Sequence, residues 1–509
     1  MNIDQGTDEK ENLFKKWLFP TLLFLFVFTV RMIISIQHPN LTYDSYYDVR
    51  QVEHILETGV PDFNDELSYG GRTTYFSPVY HYIIASFSFL FNIENSIKIL
   101  SNLRMAFLVV MVYLLSYKIV KNKLSAYSAA LISFLIPILF FEGLFSSSVF
   151  SIVLPLIIFL LYVFIDIDVE PNVYWFVIFS IFVALIHPVS ILFLFSLLIY
   201  FIILRMSGMK KKEKATESFL ASIFIILWAQ LIIYKKAFLI HGTSIIYQNI
   251  PAILLTNYYP QIFLIDLMAF LGVIPFVIGS YITYKYLFKA KNRSIFLIIS
   301  LATISLLAVW LRLVEPREGL LFLGLSFSIL CGVYFAEIIA YLKLTKFYYP
   351  KLAILAVLTI TAVFSISFII SDFDKETSQI VPQNIIIDLK KLANDKEEII
   401  GDKTTAAPIK YGHAINYFAK KPNMIDYNYL LRNDIDTRVK DLDKIYTSNN
   451  QIEILELFDF YKIGYVIVDD TAREKYNIKE HPAFYTPACF EIFQGDITIY
   501  KRKCELLKS

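Results

Sequence analysis

The sequence predicts a polytopic α-helical membrane protein with a C-terminal α/β domain outside the bilayer, and three observations predict it. Of 509 residues, 56% are hydrophobic, with 45 Phe and 34 Tyr, and mean hydropathy is +0.55, beyond the range of a water-soluble globule. The apolar residues come in runs long enough to cross about 30 Å of hydrocarbon. Those runs stop near residue 371, and the remainder is charged and amphipathic.

At the N-terminus, "MNIDQGTDEKENLFKKW" lacks the small-residue cleavage site of a signal peptide, so the run from Leu18 to Ile36 reads as a retained first span. Further apolar segments follow at Asn102 to Ser116, Ser125 to Phe141, Val149 to Ile165, Val173 to Ile186 and Val189 to Leu204. The rest lie at Phe219 to Tyr234, Ile262 to Tyr284, Ile295 to Leu311, Leu320 to Ala340 and Leu352 to Ile370. Together they make about eleven spans. Pro78 to Phe91 is short, aromatic and preceded by a proline-containing turn, which suits an interfacial helix.

Charge supports that exclusion. With the N-terminus inside, the richest basic cluster, "RMSGMKKKEK", is cytoplasmic; counting Pro78 to Phe91 as a span would place it outside, against the positive-inside rule. The expected layout is a cytoplasmic segment 1–17, a membrane domain 18–370 with a large outer loop at 37–101, and an exocytoplasmic domain 371–509. That last domain, about 135 residues, is of ordinary size. In it "NIIIDLKKLANDKEEIIGDK" is an amphipathic helix pattern and "FYKIGYVIVDD" a helix end followed by a buried strand. Cys489 and Cys504 flank "FEIFQGDITIYKRK", two short strands around a turn at Gln494 to Asp496. Two unpaired thiols are favoured there over a disulfide stapling the hairpin; Cys331 lies in an apolar run.

The net charge of +2 gives no reason to expect nucleic acid, and the chain has no P-loop, HExxH, GxSxG or paired CxxC. Its candidate chemistry collects at the outer ends of the spans: Asp44, Glu142, His187, His241, and Arg312, Glu315, Arg317 and Glu318 of "RLVEPREG". Each has a purely structural explanation beside the chemical one. Ser45 and Asp48 have capping-box spacing for a helix that ends at Gly59, with Asp44 just before it. Asp48, Arg50, Glu53 and Glu57 read as the solvated face of that helix. His187, before Pro188, suits a helix break where it bonds freed carbonyls. The arginines can snorkel and pair with Glu315 or Glu318, or bind a phosphate in bidentate fashion. Asn40 in "NLT" fits an N-glycosylation acceptor.

One family accommodates these residues. "YDSYYDVRQVEHILETG", followed by "FNDELSYGGRTTYFSPVYHYIIA", resembles the first outer loop of the oligosaccharyltransferase catalytic subunit and its archaeal single-subunit relatives. "AYSAALISFLIPILFFEG", "RLVEPREGLLFLGLSFSILCG" and "APIKYGHAINYFAKKPNMIDYN" are similar to later segments of that family. The resemblance implies a polyprenyl-phosphate-dependent glycosyltransferase of the GT-C fold, using a lipid-linked sugar donor and a glycan, lipid or protein acceptor. It implies Asp44 as catalytic carboxylate, positioning the acceptor or a divalent cation such as Mg or Mn. It implies Arg317 as the residue holding the donor phosphate; the charge pattern itself adds Arg312 as a second phosphate candidate and Glu142, His187, His241 and Glu315 as supporting candidates.

The departures narrow the expectation. "GLFSSSVFS" offers serines where the family's second acidic motif would fall, "PIKYG" replaces the tryptophan pair and Asp of the acceptor motif, and Lys235 to Gln261 contains no Glu. Transfer of a monosaccharide or short glycan is therefore expected in preference to oligosaccharyltransferase-type protein glycosylation. A non-catalytic membrane assembly protein and a lipid-glycan transporter are the competing non-enzymatic expectations.

Overall fold

The computed structural model describes residues 5–74, 77–344, 350–395 and 404–504, so the expected cytoplasmic segment 1–17 lies partly outside the described residues. Among these residues six helices are long and apolar enough to cross a membrane: Trp17–Ile36, Ile93–Val120, Glu213–Tyr247, Arg293–Trp310, Pro316–Leu344 and Ile354–Thr377. Four apolar helices are shorter, at Lys123–Leu135, Phe150–Ile165, Glu170–Ile186 and Ser190–Met206. The helix Pro316–Leu344 is the central post, buried along most of its length and packed against Arg293–Trp310, Lys123–Leu135 and Val273–Phe288.

Every expected apolar segment falls on a helix, and two of them break. Ile262 to Tyr284 divides into Leu264–Leu271 and Val273–Phe288, bent by 108°. Gly272 makes the corner at φ +79°, where a side chain would be strained and would also press Ser365 at 3.2 Å. Ser125 to Phe141 divides at Ile136, which the following Pro137 forces out of helical geometry to ψ 121°.

The segment expected as the outer loop contains the helix Ser45–Thr58, closed by Gly59 at φ +81°, and the short helix Val79–Phe87, which falls within the expected interfacial stretch Pro78 to Phe91. After it Phe89 and Leu90 are 80% and 72% exposed, as suits side chains dipping into lipid. The expected capping box is not formed: Asp44 makes no cap bond, the Ser45 hydroxyl accepts from the Ser147 N–H at 2.8 Å, and Asp48 bonds His81 Nε2 at 2.8 Å. Ser147, just before the helix Phe150–Ile165, and His81, on the helix Val79–Phe87, have taken the two side chains instead. Nor does Asn40 suit glycosylation, because it is buried and its amide donates to the Val381 carbonyl at 2.8 Å.

The last membrane helix, Pro350–Thr377, runs past the expected domain boundary at residue 370. Beyond it lies a four-stranded mixed sheet. Thr404–Ala406 runs parallel to Ile463–Val468, which pairs antiparallel with Thr498–Arg502, and that strand pairs with Phe490–Phe493. All six residues of Ile463–Val468 are buried, because helices such as Gln383–Asn394 and Gln451–Phe460 pack beside the sheet. The expected hairpin is present, but Cys489 and Cys504 form a disulfide rather than two free thiols. Register explains it: pairing of Phe490 with Arg502 brings the flanking cysteines to a Cα separation of 4.8 Å, within bonding range.

Candidate catalytic site

Asp44 stands where the chain turns from the first membrane helix into Ser45–Thr58. Its neighbours are pinned: the Tyr43 N–H donates to the Gln379 carbonyl at 3.1 Å, and Leu41 accepts from the Val381 N–H at 3.0 Å. The carboxylate faces a cavity of about 790 Å³ whose wall also includes Glu315, Tyr258, Lys410, Tyr427 and Tyr429. Its side chain is exposed toward that cavity. Enclosure first, then the charges of Asp48, Asp426 and Glu315, raise its pKa to about 7. Burial likewise raises Glu315, while Arg317 opposes that shift.

Arg317 opens the helix Pro316–Leu344 and lies outside the wall of this cavity. Its Nε is 3.3 Å from Glu142 Oε2 and its Nη1 is 3.4 Å from Glu376 Oε1, yet 47% of the side chain remains exposed. Glu142 is buried and also accepts from the Ser148 hydroxyl, while its backbone carbonyl accepts from Arg31 Nη2 at 2.6 Å. A rigid carboxylate thus holds an arginine that keeps donors free toward the surface, next to Glu315.

The remaining expected residues lie elsewhere. Arg312 is exposed on a left-handed turn at φ +56°. Nδ1 of His187 accepts from the Val189 N–H at 3.2 Å, so it caps the next helix instead of bonding freed carbonyls. His241 lines a second cavity of about 540 Å³ together with Arg72 and Arg432. Among the described residues no three His, Cys, Asp or Glu side chains are grouped to hold a metal ion. Asp48 is engaged by His81 and Asp426 by Arg72, so the donor set at Asp44 does not fit a resident divalent cation.

Residues from Pro408 to Tyr476, around the four-stranded sheet, supply the cavity's far side. Lys410 pairs with Asp469 at 2.7 Å, and the Tyr411 ring meets Tyr43 at 5.1 Å between centroids. The wall's two sides are tied together: the hydroxyls of Tyr258, on the helix Ala252–Tyr258, and Tyr429 are 2.8 Å apart, and the Asn249 amide donates to the carbonyls of Tyr429 at 3.0 Å and Arg432 at 2.7 Å.

What sequence reasoning missed is the charge network that docks this domain. Arg50 is buried, not solvated, and bonds Asp65 at 2.6 Å; Arg72 joins Asp65 at 2.6 Å to Asp426 at 2.5 Å. Arg72 holds Asp426 below the usual carboxylate range, and burial lowers His413, beside Asp426, to about 4. The available signal was the placement of charges around the Gly70–Gly71 turn in "DELSYGGR", which exposed loops rarely need.

No protein-family model and no curated protein matches the sequence. Among solved structures the chain is similar to the archaeal oligosaccharyltransferase AglB from Archaeoglobus fulgidus in complex with an inhibitory peptide and a dolichol-phosphate. That likeness has a TM-score of 0.65 and 13% identity, covering 90% of this chain and 70% of that one. It is also similar to ArnT from Cupriavidus metallidurans bound to undecaprenyl phosphate, with a TM-score of 0.56, 9% identity and coverage of 96% and 98%. Another AglB structure, a complex with zinc and sulfate, gives 0.58, 13%, 87% and 68%. The GT-C fold expected from the sequence is the fold of this chain.

Proposed function

We propose that this protein is an integral membrane glycosyltransferase that moves a sugar or short glycan from a polyprenyl-phosphate donor to an acceptor at the outer membrane face. The observation that carries the reading is Asp44: a carboxylate just after the first long helix, on the wall of an open cavity of about 790 Å³, with a pKa raised to about 7. A general base works best when its pKa lies near the operating pH. In the step, an acceptor heteroatom bonds to the anomeric carbon as the bond from that carbon to the phosphate oxygen breaks. The acceptor proton passes to Asp44, and the phosphate leaves with the bonding pair.

Arg317 is the proposed partner of that phosphate. Its fork is oriented by Glu142 and Glu376, and it retains exposed donors beside Glu315 at the cavity's edge. The lipid tail of such a donor stays in the bilayer while its head reaches the outer loops. The reading includes about eleven spans, a cytoplasmic N-terminus and an exocytoplasmic domain after residue 371. Support for the last point is the Cys489–Cys504 disulfide, which suits an oxidising compartment.

The test uses full-length protein in detergent or nanodiscs with a radiolabelled polyprenyl-phosphate sugar. Transfer should be present in the wild type and lost in Asp44→Asn at unchanged expression and thermal stability; full activity in that variant sinks the assignment.

A further inference from the structure

The wall of the Asp44 cavity opposite the membrane is built from tyrosines and paired charges, and that combination selects among acceptors. Tyr258, Tyr427, Tyr429 and Tyr476 all line it. Two are braced by their neighbours: Tyr429 by the hydroxyl contact to Tyr258, and Tyr476 by stacking on Tyr446 at 4.8 Å. Amide and hydroxyl groups of Gln248, Asn257 and Thr471 lie among them, with aliphatic side chains such as Ile409 and Leu442 between.

Both cations on this wall are already neutralised. Lys410 is held by Asp469 at 2.7 Å and Lys475 by Asp443 at 3.2 Å, and the Tyr476 hydroxyl donates to the same Asp443 oxygen at 2.5 Å. At the membrane end the cavity shows Asp44 and Glu315, both carboxylates. An acceptor carrying phosphate or carboxylate would meet only these paired cations among the described residues of the wall, and would face two acidic groups. A sugar ring is amphipathic in the way this lining is: its C–H faces suit aromatic and aliphatic surfaces, and its hydroxyls suit amides, Thr471 and tyrosine hydroxyls. The volume of about 790 Å³ has room for more than one ring.

We infer that the acceptor is a neutral saccharide, bound in the tyrosine-lined cavity between the segment 408–476 and the helix Ala252–Tyr258, with one hydroxyl directed at Asp44. The inference rests on the glycosyltransferase reading for its chemistry but not for its binding site. In the completed step the saccharide oxygen bonds to the donor's anomeric carbon, its proton goes to Asp44, and the polyprenyl phosphate is released.

The experiment has two readouts on the full chain in nanodiscs. Binding is followed by saturation-transfer NMR with neutral di- and trisaccharides of glucose, galactose and mannose. Transfer is followed with the radiolabelled donor and three acceptor sets: those saccharides, an Asn-X-Thr peptide, and a phosphorylated glycolipid. Saccharide binding is expected, and it should weaken about tenfold in Tyr427→Ala and in Tyr476→Ala. Tyr427→Phe should recover most of it, because the ring face is retained. If the peptide or the phosphorylated lipid accepts sugar and no saccharide binds, this inference fails while the transferase reading stands. If saccharides bind as described but no acceptor receives sugar, the transferase reading fails and the saccharide site stands. Binding of saccharides that is indifferent to Tyr427 and Tyr476 places the site elsewhere and overturns the inference.

Discussion

Arg72 and Asp426 lie 354 residues apart in the chain, and their side chains meet at 2.5 Å with no more than 2% of either exposed. The same guanidinium reaches Asp65, so one arginine joins the first outer loop to the C-terminal domain. Removing one partner of a buried pair leaves an uncompensated charge at a cost of about 3–5 kcal/mol. Arg72→Ala should therefore lower the apparent unfolding temperature of the purified protein and expose the junction to limited proteolysis. An unchanged melting profile would show that docking does not depend on this pair.

Acid should act on the same joint. Asp65 and Asp426 are both held below the ordinary carboxylate range, so their contribution is present above the unfolded-state pKa and is lost as pH falls through their folded values. The expected result is a loss of thermal stability that begins below about pH 4. Asp426→Asn should remove much of that dependence.

The shift at Asp44 has the opposite sign. Its folded pKa is raised, so ionising it costs the folded state something between the unfolded value and about 7, while a base must be ionised to act. Transfer should rise with pH to a plateau, with a midpoint near 7. Asp44→Asn should abolish that limb and reduce the rate by about 10²–10⁴-fold. A flat wild-type profile from pH 5 to 8 contradicts the role of Asp44 as base.

Arg317 makes a separate prediction. If its exposed donors hold the leaving phosphate, Arg317→Ala should weaken donor use by roughly 10- to 100-fold, the equivalent of a lost charge-assisted hydrogen bond. Arg317→Lys should recover only part, because an ammonium lacks the bidentate fork. Saturation with donor at wild-type concentrations in Arg317→Ala refutes the phosphate role.

The disulfide tests topology and stability together. Its 15-residue separation corresponds to about 3 kcal/mol in the chain-entropy account. Cys489→Ser with Cys504→Ser should lower the unfolding temperature, and a reductant should do the same to the wild type. In intact cells, thiol labelling of a Cys489→Ser variant should reach Cys504 with a membrane-impermeant reagent. Labelling only after permeabilisation places the domain in the cytoplasm.

The helices and the Cys489–Cys504 hairpin were legible because local composition determines them: twenty apolar residues need a bilayer, and alternating strands around a turn need each other. Asp44 was legible from its place at the exit of the first span. Arg50 was misread because the pattern of Ser45–Thr58 is that of a half-solvated helix, whereas the charged face is met by Asp65 and His81 further along the same loop and by residues near 413–420 hundreds of positions later. The same distance hid the tyrosine wall, whose members come from Tyr258, Tyr427, Tyr429 and Tyr476 and share no motif. The break at Gly272 was hidden for another reason: an apolar run looks the same whether or not it turns a corner.

The cavity's walls are made at very different times. Asp44 emerges from the ribosome early, whereas Lys410, Tyr427 and Tyr476 are among the last residues synthesised. The late segment supplies Lys410, Tyr427 and Tyr476 to the wall opposite Asp44, and Asp426 to the charges that raise its pKa. On the proposed function, a chain cut before residue 408 lacks that wall and should neither bind the acceptor nor transfer sugar.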